Sequence, residues 1–94
     1  MKTLSEIRVL IAENRTDEAI RLLEVHLQAN PYDDAAYLLL GNVYRKRSDW
    51  KHAIECYLSA TEINPDSPAR EAYRMTMDIL NFMNPDLYLS LIHI

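Results

Sequence analysis

Residues 37–44 read YLLLGNVY, and Gly41 at their centre is the only glycine in the 94-residue chain. The pattern around it is helical, yet a glycine inside a helix costs about 1 kcal/mol relative to alanine. Something has to overrule that preference, and the residues on either side of the octapeptide say what it is.

Shifted by 34 positions against itself, the chain places Ala19-Ile20 over Ala53-Ile54, Asn30-Pro31 over Asn64-Pro65 and Ala35 over Ala69 without a gap. Leu23 then falls over Tyr57 and Asp33 over Ser67. A period of this length holds two helices and two turns and little else. The punctuation is helical throughout. Thr3 and Glu6 have the spacing of a capping box, Ser67-Pro68 pairs a capping hydroxyl with a proline suited to the first helical position, and Asp33 and Asp49 can cap two more helices. Asn30, Asn64 and Asn84 each precede a proline and so mark breaks. The expected helices span about 3–13, 16–29, 33–47, 50–63 and 67–83, and no strand pattern precedes residue 86.

Tyr37-x2-Leu40-Gly41-x2-Tyr44, followed by Ala53-x3-Tyr57 and Pro65, resembles the tetratricopeptide repeat pattern W-x2-L-G-x2-Y, A-x3-F and P, with tyrosine at two of the aromatic places. Ser48-Asp49-Trp50 is similar to the turn between the two helices of such a repeat, with serine where glycine is commoner. The resemblance implies an all-α fold, an antiparallel helix-hairpin solenoid of about five helices in a right-handed superhelix. It divides a single domain, residues 1–94, into repeat one at 1–33, repeat two at 34–67, a closing helix at 68–84 and an apolar tail at 85–94. Repeat one matches only in its second half, through Ala19, Leu23 and Pro31, because Ile7 and Leu10 stand in the glycine and tyrosine places.

Within such a repeat Gly41 has a physical purpose. Two antiparallel helices approach closely only where one presents no side chain, and the expected partner surface is Ala53, Tyr57 and Ala60 on the next helix. Filling a crowded contact costs about 1–3 kcal/mol, more than glycine loses in propensity. Tyr37, Tyr44, Trp50 and Tyr57 are assigned to the same core rather than to ligand stacking.

Composition narrows the function. Hydrophobic residues make up 49% and charged ones 26%, the balance of an ordinary globular chain. A net charge of −4 gives no general attraction for nucleic acid or anionic lipid. No stretch approaches the ~20 apolar residues of a membrane span, and the N-terminus lacks the pattern of a signal peptide. The single cysteine, Cys56, has no partner for an internal disulfide, zinc site or redox pair, which fits a reducing, cytoplasmic setting. His26, His52 and His93 are dispersed, and His26 reads as a packing residue rather than a ligand. One glycine cannot build a phosphate-cradling loop. Asp17-Glu18 and Asp33-Asp34 fall in first helical turns, where the helix dipole accounts for them. No cofactor, metal or enzymatic role is expected.

Stacked helix pairs curve and expose an extended concave face, and the resemblance implies that the first helix of each repeat lines it. The expected stripe is Leu4 and Arg8 from the first helix, Leu38, Asn42, Arg45 and Lys46 from the third, and Tyr73 and Thr76 from the fifth. It would suit an extended peptide or a partner helix, with Asn42 pairing to ligand backbone, Arg8, Arg45 and Lys46 to acidic groups, and Leu38 and Tyr73 to apolar side chains. Arg45-Lys46-Arg47 also reads as a solvated helix end whose cations suit the dipole. The clamp by which related repeats grip acidic chaperone tails is not expected, since the equivalent places hold Leu4, Leu39, Ala69 and Tyr73.

After Asn84-Pro85 the chain ends DLYLSLIHI. Leu87, Leu89 and Leu91 alternate with Tyr88 and Ser90, which favours an extended segment with an apolar face, continued by Ile92 and Ile94. Solenoids need their open ends covered. The tail is expected to pack on the last helix or on a second copy, giving a homodimer, with a frayed terminus as the competing view. Two functions remain: a protein-interaction module for a peptide or protein partner, and a structural homo-oligomer assembled through its groove or through Leu87, Leu89, Leu91 and Ile92.

Overall fold

Most helices of the chain start at a side chain able to hold a free amide and end at a proline or a left-handed turn. In the computed structural model, which describes residues 3–92, these signals delimit α1 (Leu4–Ala12), α2 (Thr16–Ala29), α3 (Asp34–Lys46), α4 (Trp50–Ile63), α5 (Ala69–Met83) and α6 (Pro85–Ile92). Thr3 Oγ1 accepts from the Glu6 amide at 3.3 Å, Asp33 Oδ1 from Ala36 at 3.3 Å, Asp49 Oδ1 from His52 at 3.4 Å and Ser67 Oγ from Ala69 at 3.1 Å. Each such cap contributes about 1 kcal/mol. Only α2 among the first four starts without one, at Arg15, and its first turn carries Asp17 and Glu18 to offset the dipole.

The two tight turns inside the helix pairs use the same geometry. Asn14, between α1 and α2, has φ 64°, and Ser48, between α3 and α4, has φ 61°. The two positions are 34 apart (48 − 14). Both lie in the left-handed region that favours glycine, so the residue type that is commoner at Ser48 has a steric reason there.

Packing proceeds from neighbour to neighbour. Each helix packs chiefly on those adjacent in sequence, with α1 also touching α3. The core is accordingly a file of three clusters. Ile7, Leu10, Ala19, Leu23, Leu40 and Val43 join α1, α2 and α3, and Cys56 of α4 closes that cluster. Ala53, Tyr57 and Ala60 of α4 meet Ala69 of α5, with Tyr37, Tyr44 and Leu38 of α3 packed over them. Ile54 of α4 meets Met77 and Leu80 of α5. The result is elongated, 40 × 27 × 18 Å.

Gly41 of α3 lies directly against Tyr57 of α4. A Cβ placed there would stand 2.6 Å from Cε1 and 2.7 Å from Cδ1 of Tyr57, whose side chain is fully buried. The ring of Tyr57, flanked by Ala53 and Ala60, occupies the space that any other residue at 41 would need. The expected close approach is therefore present, and it is made by an aromatic ring against bare backbone.

The end of the chain differs from expectation. Residues 85–92 form a helix, not an extended segment, so the described residues hold six helices. Asn84 ends α5 with its own amide and starts α6, its side-chain oxygen accepting from the Leu87 amide at 3.2 Å and its carbonyl from Tyr88 at 3.0 Å. Pro85 then takes the first helical position, where its fixed φ is already helical. Leu87 and Leu91, four apart, pack with Tyr88 against Ile54, Met77 and Leu80, while Leu89 faces outward. Leucine is a strong helix former, and burying that face outweighs the alternation. His93 and Ile94 lie outside the described residues.

Candidate functional site

On α3 the inward positions are Ala36, Leu39, Leu40, Gly41 and Val43. The helical spacing leaves Leu38, Asn42 and Arg45 as a half-buried stripe along the same helix. Leu38 packs over the Ala53–Tyr57 cluster, as do Ala72 and Tyr73 of α5, so side chains of α3 and α5 share a floor supplied by α4.

Tyr57 connects that floor to the rim. Its hydroxyl donates to Oδ1 of Asn42 at 2.6 Å, which fixes the Asn42 amide with its NH2 group turned away from the bond. Burial pushes the Tyr57 hydroxyl above the ordinary tyrosine value although the nearby Arg45 charge pulls the other way, so the group stays protonated and keeps donating. The arrangement offers a ligand an oriented amide donor, the Arg45 guanidinium and the apolar surfaces of Leu38 and Tyr73. Tyr57 belongs to this constellation, although the sequence reading gives it to the core alone. The available signal is the hydroxyl itself, at a place where the repeat pattern has phenylalanine.

Of the other expected groove residues, Thr76 and Lys46 are engaged within the fold. Thr76 is fully buried, its hydroxyl donating to the Ala72 carbonyl at 2.7 Å, so its side chain does not reach the surface. Lys46 extends from the end of α3 to the last turn of α1, where Nζ donates to the Ile11 carbonyl at 2.8 Å. Arg47 pairs with Asp17 of α2. Leu4 packs on the first cluster and Arg8 is exposed on α1. Of the tail residues, Leu87 and Leu91 are turned inward, while Leu89 and Ile92 are half exposed.

His26, His52 and Cys56 are engaged in structure. His26 Nε2 lies 2.6 Å from Oδ2 of Asp33, tying α2 to the residue that caps α3. His52 Nδ1 lies 2.7 Å from Asp49 Oδ2, and the ring stacks on Tyr44 at 5.0 Å between centroids. Cys56 is buried, and its thiol is pushed up to about 12, first by burial and then by the charges of Glu55, Asp49 and Glu24. A thiol held so far from ionisation is a packing group. Among the described residues no group of three or more His, Cys, Asp or Glu side chains is arranged to hold a metal, and no helix is long and apolar enough to cross a membrane.

Antiparallel helix pairs with a 34-residue period, glycine against an aromatic ring at the crossing and matching left-handed turns define a helical-repeat scaffold. The tetratricopeptide repeat signature matches residues 10–74, and the chain belongs to that family. It is 32% identical over 71 residues to a Tetratricopeptide repeat protein 30 homolog of Caenorhabditis briggsae, covering 76% of this chain and 10% of that protein. It is 33% identical over 66 residues to Intraflagellar transport protein 70B of Rattus norvegicus, covering 70% of this chain and 10% of that protein. The chain thus spans about a tenth of the length of these curated relatives. Among solved structures, the solution NMR structure of Bacteroides fragilis protein BF1650 is 49% identical, with a TM-score of 0.90 over 99% of this chain and 95% of that one.

Proposed function

We propose that the chain is a non-catalytic protein-interaction module that holds an extended peptide or a partner helix in the trough between α3 and α5. The observation that carries this reading is the Asn42 amide, fixed at 2.6 Å by the buried Tyr57 hydroxyl. An amide oriented in advance meets a peptide backbone at low entropic cost. Leu38 and Tyr73 supply apolar contact and Arg45 a charge for an acidic side chain, while Leu4 and Arg8 extend the surface along α1. Two repeats, closed by α5 and α6, make up a single domain in this view. A reducing, cytoplasmic setting suits its lone, buried Cys56. The part shared with the curated relatives is repeat scaffold, and the transport in one of their names is not carried over to this chain.

The test is capture from native cell extract, wild type against a variant carrying Asn42→Ala and Arg45→Glu, each checked for unaltered helical content. A partner retained by the wild type and lost with the variant supports the trough. Equal retention by both, or retention by neither, counts against it.

A second reading, self-association, is favoured by α5. Met75, Ile79, Phe82 and Met83 follow helical spacing and are exposed, Phe82 to 89% and Met83 to 68%. With Leu89 and Ile92 of α6 they leave apolar surface at the end of the solenoid, where a homodimer would bury it. In this reading the contact shifts from the tail leucines toward α5, since Leu87 and Leu91 are engaged within the chain. Light scattering across a concentration series decides: a dimer that Phe82→Ser with Met83→Ser converts to monomer supports it, and a monomer at every concentration rejects it.

A further inference from the structure

The turn between α2 and α3, the start of α3 and the end of α4 border an open cleft of about 610 Å³ lined by Pro31, Tyr32, Tyr37, Ser59, Glu62 and Ile63. It is separate from the Asn42 trough. Tyr37 is half buried against the Ala53–Tyr57 cluster, which fixes its ring, while Tyr32 stands 81% exposed on the rim. Glu62 is exposed and has no hydrogen-bond or ion-pair partner among the described residues. Two aromatic residues and an unneutralised carboxylate, with no lysine or arginine in the lining, make a surface complementary to a cation.

The corresponding place one repeat on, equally open, differs in the charges that line it. A second cleft of about 600 Å³ lies 34 residues on: Pro31 corresponds to Pro65, Tyr32 to Asp66 and Tyr37 to Glu71. There the chain supplies its own cations, Arg70 and Arg74, and the Arg74 guanidinium is bonded to Glu71, the counterpart of Tyr37. The first cleft has the acid and the aromatic surface but no guanidinium.

We propose that the first cleft receives the arginine side chain of an extended partner segment, the guanidinium stacked on tyrosine surface of Tyr32 and Tyr37 and paired with Glu62. A planar guanidinium suits this better than an ammonium, because it stacks on a ring while its edge N–H groups bond the carboxylate. The chain's net charge of −4 favours the approach of a basic segment.

The probe is a blocked Gly-Arg-Gly peptide titrated into the intact 15N-labelled chain, against the same peptide with citrulline, which keeps the shape and lacks the charge. Saturable amide shifts at Tyr32, Tyr37, Ser59, Glu62 and Ile63 are expected with arginine and much smaller ones with citrulline. Tyr32→Ala and Glu62→Gln each weaken binding about two- to fivefold. Both residues are exposed, so the variants should keep the fold, which their unliganded spectra check. Asn42→Ala leaves this titration unchanged, which separates it from the trough. No shift at the cleft, an equal response to citrulline, or shifts confined to Asn42, Arg45 and Tyr73 would overturn the proposal.

Discussion

The ring of Tyr57 begins where a side chain on residue 41 would: a Cβ on Gly41 would lie 2.6 Å from Cε1. The same crossing in the α1–α2 pair, 34 residues earlier, is filled by Ile7 and Leu23, both buried. One crossing is built from nothing and an aromatic, the other from two branched aliphatics. Each fills the gap, and the combinations are not interchangeable residue by residue.

Gly41→Ala should therefore cost stability even though alanine is the better helix former. Overpacking of about 1–3 kcal/mol opposes a propensity gain of about 1 kcal/mol. The Tyr57 ring is held by its bond to Asn42 and has little room to yield, so the net loss should be about 1–2 kcal/mol. Urea unfolding reads this as a lower midpoint, and Tyr57→Leu added to Gly41→Ala should recover part of it. A single variant as stable as wild type would mean that the ring slides aside.

Ser48→Gly should stabilise the chain by about 0.5–1 kcal/mol, because φ 61° strains a residue with a Cβ. For a domain this small, 1 kcal/mol corresponds to about 4–8 °C in Tm. Thermal unfolding showing no rise would place the strain elsewhere.

Helix α6 gives a paired test. Leu91 packs against Ile54, Met77 and Leu80, and Leu91→Ala should lose about 1–2 kcal/mol, less than a fully buried leucine would. Leu89 faces outward, and Leu89→Ser should leave the stability of the isolated chain nearly unchanged. Equal losses from both would contradict the packing of α6 described above.

Cys56 fixes a pH dependence. Its thiol ionises near 9 when free and is pushed up to about 12 in the folded chain. The folded state thus holds a proton that the unfolded state releases, and this contribution to stability is full below pH 9 and lost as pH rises toward 12. Stability of Cys56→Ala relative to wild type should improve across that window. A thiol reagent at pH 8 should modify wild type only after denaturant is added.

Helix boundaries are legible in the sequence because they rest on local chemistry: Thr3, Asp33, Asp49 and Ser67 bond amides two or three residues away, and each proline breaks its own neighbourhood. The Gly41 contact is legible because the repeat period points to Tyr57. Other features depend on distances the sequence does not display. Lys46 reaches the Ile11 carbonyl, 35 residues back. Thr76 fits a surface register but satisfies its hydroxyl on Ala72, which lets a polar side chain be buried. Leu87, Leu89 and Leu91 fit a period of two, yet the outer pair also fits a helical turn, and packing on α5 selects the second reading. The Met75, Ile79 and Phe82 stripe follows helical spacing in the sequence, but its exposure depends on α6 packing against Met77 and Leu80 of α5 instead.

The engagement of Lys46 and Arg47 with α1 and α2 bears on how a ligand would respond to ionic strength. Three adjacent cations invite the expectation of a steep loss of affinity in salt. With one ammonium on a carbonyl and one guanidinium on Asp17, the trough retains Arg45 as the charge nearest Tyr57. A peptide held there, as proposed above, should then lose affinity only gently between dilute buffer and physiological salt, the behaviour of a surface that recognises backbone and shape before charge.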